Sequence, residues 1–437
     1  MILFFRIPQN IGSIHEQGMS LLIEVTSFKA SDHYVLNDDD NKPQSWKISK
    51  DNQGDRFFIN WSTRLNGNRE ELERIIDWLI EKTTIRLQSK SIPAYRLLCE
   101  VILLNLSKSL LQRRWVQIPK STAAYSKGTV PHELGFTRRH VIHVLDILYQ
   151  SEALYEVTGA KYTDDPQLSS FQPTEYFDTQ LVIDALGLEQ SFDIDPVRVN
   201  GQEGLLTERE QIEFDQDVKD LTIINNFLKQ HTYPLKGPMT RIYTKNVGAA
   251  GRIYCDFQAL SKRQIPIRQT SLIDGEPIAE IDIIASHPRM AIQKFHDQKI
   301  ANTFYQDVAD ELDIFRDKIK KFFQVALSSS SREKARGGFK KGTNFDLHDF
   351  NAIENWMKDN YPLVPLYQSL SMSFMNHEGT ILKEVMLKGV EEGIVVLPIH
   401  DAIAVKQSDS QWGEKALKAA WKNLFDTDYC EVKVETY

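Results

Sequence analysis

Hydrophobic residues recur at helical spacing in three segments of the first half of the chain. Between Arg69 and Ile85, and again between Pro93 and Gln112, apolar residues return every three or four positions, which predicts two amphipathic helices. A third pattern runs from Thr137 to Gln150, and its threonine is typical of a residue that caps a helix N-terminus. The segment Ala153–Val157 follows and predicts a strand.

The third helix carries basic side chains at its start, where a recognition helix meets DNA. Helix, strand and then Gly159 is the outline of a winged helix, so residues 91–185 are expected to form a winged-helix-like DNA-binding region. An ordinary helix-strand packing unit fits this stretch equally well. The basic residues concerned are Arg138, Arg139, His140 and His143.

The remaining chain divides into three further regions by composition. Residues 1–90 mix strand and helix patterns without assignable chemistry, and residues 186–240 are polar and acidic, which suggests a connecting arm. Residues 241–437 hold the chemistry described below. A chain of 437 residues is long enough for two or three domains with separate cores.

Apolar runs and cysteines exclude several classes of protein. No stretch approaches the roughly 20 apolar residues of a membrane span, and the first apolar run is interrupted by Arg6 and Pro8. We therefore expect a cytoplasmic protein without a membrane partner. The three cysteines, Cys99, Cys255 and Cys430, are too few and too separated for a disulfide framework or a cysteine-rich zinc site.

Charge is distributed unevenly along the chain. The net charge is −8, yet residues 236–268 carry seven Lys or Arg against one Asp. Residues 316–341 carry nine Lys or Arg against one Asp and one Glu. Local basic segments of this kind attract polyanions despite an acidic total. The part between Arg332 and Lys341 is expected to be a loop that contacts the nucleic-acid backbone.

Two strand-like runs end on aspartates. Ile278–Ile284 includes Asp282, and Val395–Val405 has the pattern of a hairpin with His400 and Asp401 at its turn. Carboxylates at strand ends can hold two divalent ions about 3.5–4 Å apart, which an in-line phosphoryl or nucleotidyl transfer uses to stabilise attacking and leaving oxygens. The pattern predicts two Mg²⁺ or Mn²⁺ ions on Asp282 and Asp401. Two unrelated aspartates remain the simpler alternative.

A basic helix is predicted between these two acids. Arg316, Lys320 and Gln324 fall on one face at a spacing of four. Like charges so placed cost about 0.2–0.5 kcal/mol, so the helix itself gives no reason for them. Binding of a triphosphate would explain the like charges, because these side chains could bind its oxygens and stabilise the leaving pyrophosphate. A solvated basic face is the alternative.

The order of these features resembles the palm and fingers of family A DNA polymerases and phage-type single-subunit RNA polymerases. Asp282 matches the first palm motif, Arg316 and Lys320 match the fingers helix, and His400-Asp401 match the last palm motif. Small replication proteins of phages and mobile elements are more similar still, and the resemblance covers about residues 240–410. It implies primer-template contacts by Gly251, Arg252, Tyr254, Gln258, Arg263 and His400.

The resemblance implies an α+β fold with an antiparallel palm sheet and a helical fingers insertion. It implies a two-metal nucleotidyltransferase, acting on a DNA template and primer with nucleoside triphosphates, that serves replication of a phage or mobile element. This chain departs from the pattern at Ser328, where the fingers tyrosine would stand, and at Gln324. It also departs at His287, where DNA polymerases place a glutamate that excludes the ribose 2′-hydroxyl.

His287 bears on the choice between DNA and RNA synthesis. We expect the imidazole to approach the sugar of the incoming nucleotide and to obstruct a 2′-hydroxyl, with Pro288 holding the backbone of His287 extended. An RNA-making primase or small RNA polymerase is the alternative, since an imidazole can also hydrogen-bond to that hydroxyl. A non-catalytic DNA-binding replication initiator with a degenerate palm is a third. A His-Asp phosphohydrolase fits less well, because its metal-binding pair usually lies on a helix.

Overall fold

The structure is a computed structural model that describes residues 56–66, 68–112, 114–157, 168–174, 177–200, 206–244, 246–260, 262, 267–342 and 346–437. These residues form many helices and several small sheets, in agreement with the expected α+β class. They group into two compact units. Of the described residues, unit 1 takes those up to 191 and those within 233–237 and 259–271, and unit 2 takes those within 192–232, 238–258 and 272–437.

Unit 1 is organised around one long buried helix. That helix, α2, buries almost every residue from Tyr95 to Gln112, because apolar residues occur all around it, and it buries several polar ones with them. The predicted helix after Arg69 is also present. Within the described residues of unit 1 the helices are α1 (Glu70–Glu81), α2 (Ile92–Gln112), α3 (Val130–Glu133), α4 (Arg138–Gln150) and α5 (Thr179–Asp184).

Six short strands are also assigned in the part of unit 1 that the structure describes. One sheet has the strand order β1-β3-β5-β4, in which β1 pairs with β3 in parallel and the other neighbours are antiparallel. A separate antiparallel pair joins β2 to β6. The strands are β1 (Arg56–Phe58), β2 (Arg64–Leu65), β3 (Trp115–Pro119), β4 (Leu154–Val157), β5 (Leu168–Pro173) and β6 (Leu188–Glu189).

Helix α4 begins where its capping residue predicts. The Thr137 side chain accepts a hydrogen bond from the backbone N–H of His140 at 3.2 Å. Arg138 and Arg139 are exposed, whereas His140 and His143 are half-buried. His143 Nε2 accepts a hydrogen bond from the backbone N–H of Thr84, so the two histidines pack towards the rest of unit 1 instead of projecting with the arginines.

Unit 2 contains two sheets. In the first, β8 pairs in parallel with β7 and in antiparallel fashion with β9. In the second, β11 is central: it pairs with β13 on one side and with β10 and β14 on the other, and β13 also pairs with β12, all antiparallel. The strands are β7 (Val197–Asn200), β8 (Thr240–Thr244), β9 (Asn246–Tyr254), β10 (Leu272–Ile273), β11 (Glu276–Ile283), β12 (Leu397–Ile399), β13 (Ala402–Lys406) and β14 (Val432–Thr436).

Eight helices are assigned in the described part of unit 2. One, α6, lies between β7 and β8 in sequence, six follow β11, and the last lies between β13 and β14. They are α6 (Glu208–Leu228), α7 (Ser286–His296), α8 (Phe304–Leu312), α9 (Arg316–Ser328), α10 (Arg332–Gly342), α11 (Leu347–Asn360), α12 (Ser371–Glu392) and α13 (Ser410–Phe425). Each helix found among the described residues is too short or too polar to cross a bilayer.

Two segments are more ordered than their composition suggests. The expected connecting arm contains β6, β7 and the 21-residue helix α6, which starts at a capping box formed by Thr207 and Glu210. The basic segment after Arg332 is helix α10, not the loop that we expected. Helix α10 buries Ala335 and Phe339 and leaves most of its basic residues exposed, so it is amphipathic despite two internal glycines.

Candidate active site

Register places the two predicted catalytic aspartates at the same end of one sheet. In the pairing of β11 with β13, Asp282 lies opposite Ala402, the residue that follows Asp401. The backbone N–H of Ile283 donates to the carbonyl oxygen of Asp401 at 3.2 Å. Two residues far apart in sequence are therefore neighbours, as the strand-end pattern predicts.

A tight turn presents Asp401. Ile399 lies opposite Ala402, so His400 and Asp401 are the two residues that join β12 to β13. His400 has a φ of 58°, and positive φ in such a turn matches the right-handed twist of the flanking strands. The His400 side chain is exposed and the Asp401 side chain is half-buried.

The Asp401 carboxyl resists ionisation in this setting. Burial and the nearby carboxylates of Glu378 and Asp282 raise its pKa to about 7, and Arg252 opposes them. A divalent cation would remove the unfavourable charge, and carboxylate oxygens are the ligands that Mg²⁺ and Mn²⁺ prefer. The donor set therefore fits the predicted ions.

No group of three or more His, Cys, Asp or Glu is arranged to hold a metal among the residues that the structure describes. The candidate site consists of two carboxylates. Mg²⁺ commonly takes one or two protein carboxylates and completes its shell with water and substrate phosphates.

Glu378 is a site residue that the sequence did not reveal. It lies on α12, is only 1% exposed, and receives donors from two other elements. Burial opposes its ionisation, yet His287, Arg252 and Ser286 together hold the pKa of Glu378 below its usual value. The carboxylate therefore stays ionised in the interior, paired with Arg252 at 2.5 Å.

Arg252 reaches Glu378 because β9 passes very close to α12. Gly251 has a φ of 76°, and a Cβ on Gly379 would lie 1.9 Å from the Gly251 carbonyl oxygen. Only a glycine at position 379 allows this approach. The Gly-Arg pair expected at the primer-template therefore has a packing role in this structure, in which the Arg252 guanidinium binds Glu378.

A buried ion-pair network fixes β8 and β9 against α6 and α12. Arg241 contacts Asp217 at 3.0 Å and donates to the carbonyl oxygen of Gly251 at 2.8 Å. Lys383 lies 2.7 Å from Asp217, and the Tyr243 hydroxyl donates to the same carboxylate. Because breaking a buried pair leaves an uncompensated charge, this network holds Gly251 firmly in place.

His287 lies in the first turn of α7, so the expectation of extended backbone at this residue is wrong. Proline is tolerated in the first turn of a helix, which is where Pro288 stands. The imidazole is half-buried, with Nδ1 3.2 Å from the Ser371 hydroxyl and Nε2 3.1 Å from Glu378. Its ring also packs edge-on against Phe374, with ring centroids 5.6 Å apart.

Helix α9 presents the predicted basic face to solvent. Arg316, Lys320, Gln324 and Ser328 are all exposed, while Ile319, Phe322 and Phe323 are buried on the opposite side. The Arg316 guanidinium lies over the ring of Tyr305 at 5.8 Å from its centroid.

Tyr305, a second residue missed from the sequence, connects this face to the two aspartates. Its pKa is raised by burial and by the charges of Asp401 and Asp282, and lowered by Arg316. Tyr305 therefore lies within electrostatic range of both Arg316 and the carboxylates.

The remaining residues predicted to contact nucleic acid lie in several parts of the chain. Tyr254 and Gln258 are half-buried on or just after β9. Arg263 lies outside the described residues. Arg138 and Arg139 belong to unit 1, whereas the two aspartates belong to unit 2.

One feature of the sequence could have drawn attention to Glu378. A glycine inside a helix costs about 1 kcal/mol relative to alanine and usually marks a close packing contact, and Gly379 is such a residue. Comparison with known proteins adds no further assignment: no known protein family matches the chain, and no curated protein matches it significantly.

Proposed function

We propose that this protein is a divalent-metal-dependent, template-directed nucleic-acid polymerase that synthesises DNA in the replication of a phage or mobile element. The observation that carries the proposal is the pairing of Asp282 opposite Ala402, next to Asp401, at one end of an antiparallel sheet. Two hard carboxylates in this position suit a pair of Mg²⁺ or Mn²⁺ ions. When bound, the ions would activate the primer 3′-hydroxyl and stabilise the leaving pyrophosphate.

The side chains around the aspartates suit the other tasks of the reaction. Asp282 and Asp401 would hold the ions, and Arg316 with Lys320 would bind the triphosphate on the exposed face of α9. Gln324 lies on the same face, one turn further along. Arg252 would contact the primer-template with the part of its guanidinium that Glu378 does not use. This assignment of tasks would place positive charge near the phosphate oxygens, where negative charge develops in the transition state.

The arrangement of elements supports a right-hand polymerase. The sheet built on β11 and the β12–β13 hairpin would be the palm, and the six helices between β11 and β12 in sequence would supply the fingers. In unit 1, the element order α2, β3, α3, α4, β4, β5 and the strand order β3-β5-β4 suit a winged helix with α4 as recognition helix. Arg138 and Arg139 would then contact DNA.

His287 favours DNA synthesis over the RNA-making alternative. Its ring is half-buried, with the Ser371 hydroxyl at Nδ1, Phe374 against one edge and the Glu378 carboxylate 3.1 Å from Nε2, so it would form an obstacle that moves little. A rigid imidazole near the sugar would exclude a 2′-hydroxyl. His287→Ala is then expected to raise ribonucleotide incorporation with little loss of deoxynucleotide use. Selective loss of ribonucleotide use in that variant would instead identify an RNA-making enzyme.

Primer extension tests the proposed activity. The full chain is incubated with Mg²⁺ and either deoxynucleotides or ribonucleotides, on templates with and without a primer. Asp282→Asn and Asp401→Asn are each expected to lower incorporation by at least about 10³-fold, because they remove metal ligands that act in the transition state. Asp426→Asn is the control, since Asp426 is exposed, ends α13 with a φ of 55°, and can be replaced by Asn, which tolerates this conformation.

Two outcomes would contradict the proposal. Wild-type incorporation rates in either aspartate variant would show that the pair is not catalytic. Absence of any product from the wild type, with duplex binding retained, would favour the non-catalytic initiator.

A further inference from the structure

The hydrogen bonds of Glu378 join three elements of unit 2. Oε1 accepts a hydrogen bond from the Ser286 hydroxyl at 2.8 Å and lies 3.1 Å from His287 Nε2, both on α7. Oε2 accepts from Arg252 Nε on β9 at 2.7 Å. Charge-assisted contacts of this length are stronger than neutral ones. One carboxylate on α12 therefore fixes side chains of β9 and α7 at once.

These contacts leave Glu378 poorly suited to bind a metal. Both of its oxygens already accept hydrogen bonds, and its side chain is 1% exposed. A carboxylate that must hold Arg252 and His287 would lose these partners on turning towards an ion. Glu378 is therefore suited to orient Arg252 and His287. It is not suited to take part in the reaction itself.

His287 lies against three side chains of one helix, and Glu378 is one of them, 3.1 Å from Nε2. Its second nitrogen contacts Ser371, and Phe374 supports one edge of the ring. Ser371, Phe374 and Glu378 all lie on α12, so this one helix sets the imidazole position. Of these partners, Glu378 alone carries a charge that can oppose rotation of the ring.

We propose that Glu378 is a positioning residue that holds His287 and Arg252 in fixed places beside the aspartate pair, so that sugar discrimination at His287 requires Glu378. The inference rests on the proposed polymerase function. Nucleotide choice and primer-template contact would then share a single anchor.

Replacement by glutamine removes the anchor while keeping its shape. The glutamine amide has one acceptor oxygen and one NH₂ group, which is only a donor. If the NH₂ faces Arg252, two donors oppose each other and that contact separates. If it faces Ser286 and His287, it can donate to the Ser286 hydroxyl, but in either orientation the negative charge beside Arg252 and His287 is lost, so the contacts that this charge strengthens become weaker.

The experiment compares kcat and KM for deoxynucleotides and ribonucleotides in four proteins: wild type, Glu378→Gln, His287→Ala and the double variant. Glu378→Gln is expected to lower the preference for deoxynucleotides by about tenfold or more, which is the effect of losing one charge-assisted hydrogen bond. The double variant should show the same preference between deoxynucleotides and ribonucleotides as His287→Ala alone, because Glu378 acts on that preference through His287.

Glu354→Gln is the matched control. Glu354 lies on α11, is 3% exposed, and accepts hydrogen bonds from Arg332 at 2.9 Å and from the Tyr367 hydroxyl at 2.7 Å. Its replacement removes a buried carboxylate of the same kind that neither His287 nor Arg252 contacts. It should lower thermal stability comparably and leave the preference for deoxynucleotides unchanged.

A crystal structure of Glu378→Gln provides a measurement that needs no activity. The expected result is a displaced His287 ring or Arg252 side chain. If the wild type makes no polymer but the structure shows this displacement, the proposed function fails and the positioning role stands. If the wild type is active, and Glu378→Gln keeps both the wild-type preference and the positions of these side chains, the inference is wrong.

Glu378→Asp covers the case in which the glutamine variant does not fold. It keeps the charge but shortens the side chain by one methylene, so at least one contact must lengthen. We expect a preference between those of wild type and His287→Ala. A preference equal to that of wild type would overturn the positioning role.

Discussion

Asp401 and Glu378 respond to burial in opposite ways within one site. Burial and neighbouring carboxylates raise the pKa of Asp401, whereas the partners of Glu378 outweigh burial and keep its pKa low. The difference follows from the donors supplied to each group: Ser286, His287 and Arg252 all converge on Glu378. Glu378 thus has internal hydrogen-bond donors, whereas Asp401 lies among like charges.

This contrast predicts a response to magnesium that can be measured without substrate. Wild-type protein should gain thermal stability as Mg²⁺ is added, by about 2.7 kcal/mol at a concentration one hundred times the dissociation constant. Asp401→Asn should be more stable than wild type without metal, because a buried repulsion is removed, and should gain little from Mg²⁺. Differential scanning calorimetry with and without Mg²⁺ checks both effects, with Asp426→Asn as control. Equal gains in wild type and Asp401→Asn would contradict the assignment of Asp401 as a ligand.

At the scale of elements, the contact between β9 and α12 depends on a glycine. Gly379→Ala should destabilise unit 2 by about 3 kcal/mol or more, because the new Cβ would lie 1.9 Å from a carbonyl oxygen of β9 and the backbone would have to move. The contrasting variant is Gly337→Ala on α10, where a Cβ meets nothing within 4 Å. That substitution should stabilise the protein by up to about 1 kcal/mol through helix propensity. Urea unfolding of both variants tests the pair, and similar changes in both would contradict this account.

The turn between β10 and β11 predicts a pH dependence. Asp274 is the first residue of an Asp-Gly turn, and its carboxylate accepts from the backbone N–H of Thr232 at 2.8 Å and pairs with Lys406 at 2.9 Å and His231 at 2.8 Å. Partial burial opposes ionisation, but these partners hold the pKa of Asp274 well below its usual value. The ionised carboxylate therefore stabilises the fold at neutral pH, and this contribution is lost as the pH falls below the ordinary value near 4.

Asp274→Asn tests this dependence while preserving the turn, because Asn-Gly is favoured in the same kind of turn. At pH 7 the variant should be less stable than wild type by about 1–3 kcal/mol. The difference should shrink as the pH is lowered from 4 towards 3, because the Asp274 carboxyl of the unfolded wild-type chain binds a proton there while that of the folded protein stays ionised. Chemical denaturation at several pH values measures it. A difference that stays constant from pH 7 to pH 3 would show that the charge is not responsible.

Local elements were predictable from sequence and their long-range partners were not. The start of α4 at Thr137 and the hairpin that carries Asp401 follow from patterns a few residues long, and both are present. Glu378 was missed because its contact with Arg252 joins residues 126 positions apart, which no local spacing records. The helical state of α10 was missed for another reason: two adjacent glycines lower helix propensity, and burial of Phe339 overrides them.

At the scale of the whole molecule, the net charge of −8 conceals a basic helix face suited to a polyanion. Helix α10 exposes Lys334, Arg336 and Lys340, whereas Arg332 of the same helix is paired with Glu354 at 2.9 Å. The exposed residues can approach phosphates without first breaking an internal pair of that kind. Nucleic-acid affinity should therefore depend strongly on salt and on this local charge, not on the total.

Removal of three charges from α10 tests this expectation. The triple variant Lys334→Gln, Arg336→Gln, Lys340→Gln should bind primer-template more weakly, and the slope of log affinity against log salt should become shallower by up to about 2–3 units, one condensed cation per lost phosphate contact. The matched control removes three lysines from α13 (Lys415→Gln, Lys418→Gln and Lys422→Gln), which changes the net charge equally. Fluorescence anisotropy from 50 to 300 mM salt, a range chosen to span strong and weak screening, gives both slopes. Because both variants carry the same total charge, equal slopes would mean that the field of the whole protein governs binding, and α10 would lose its assigned contact with the nucleic-acid backbone.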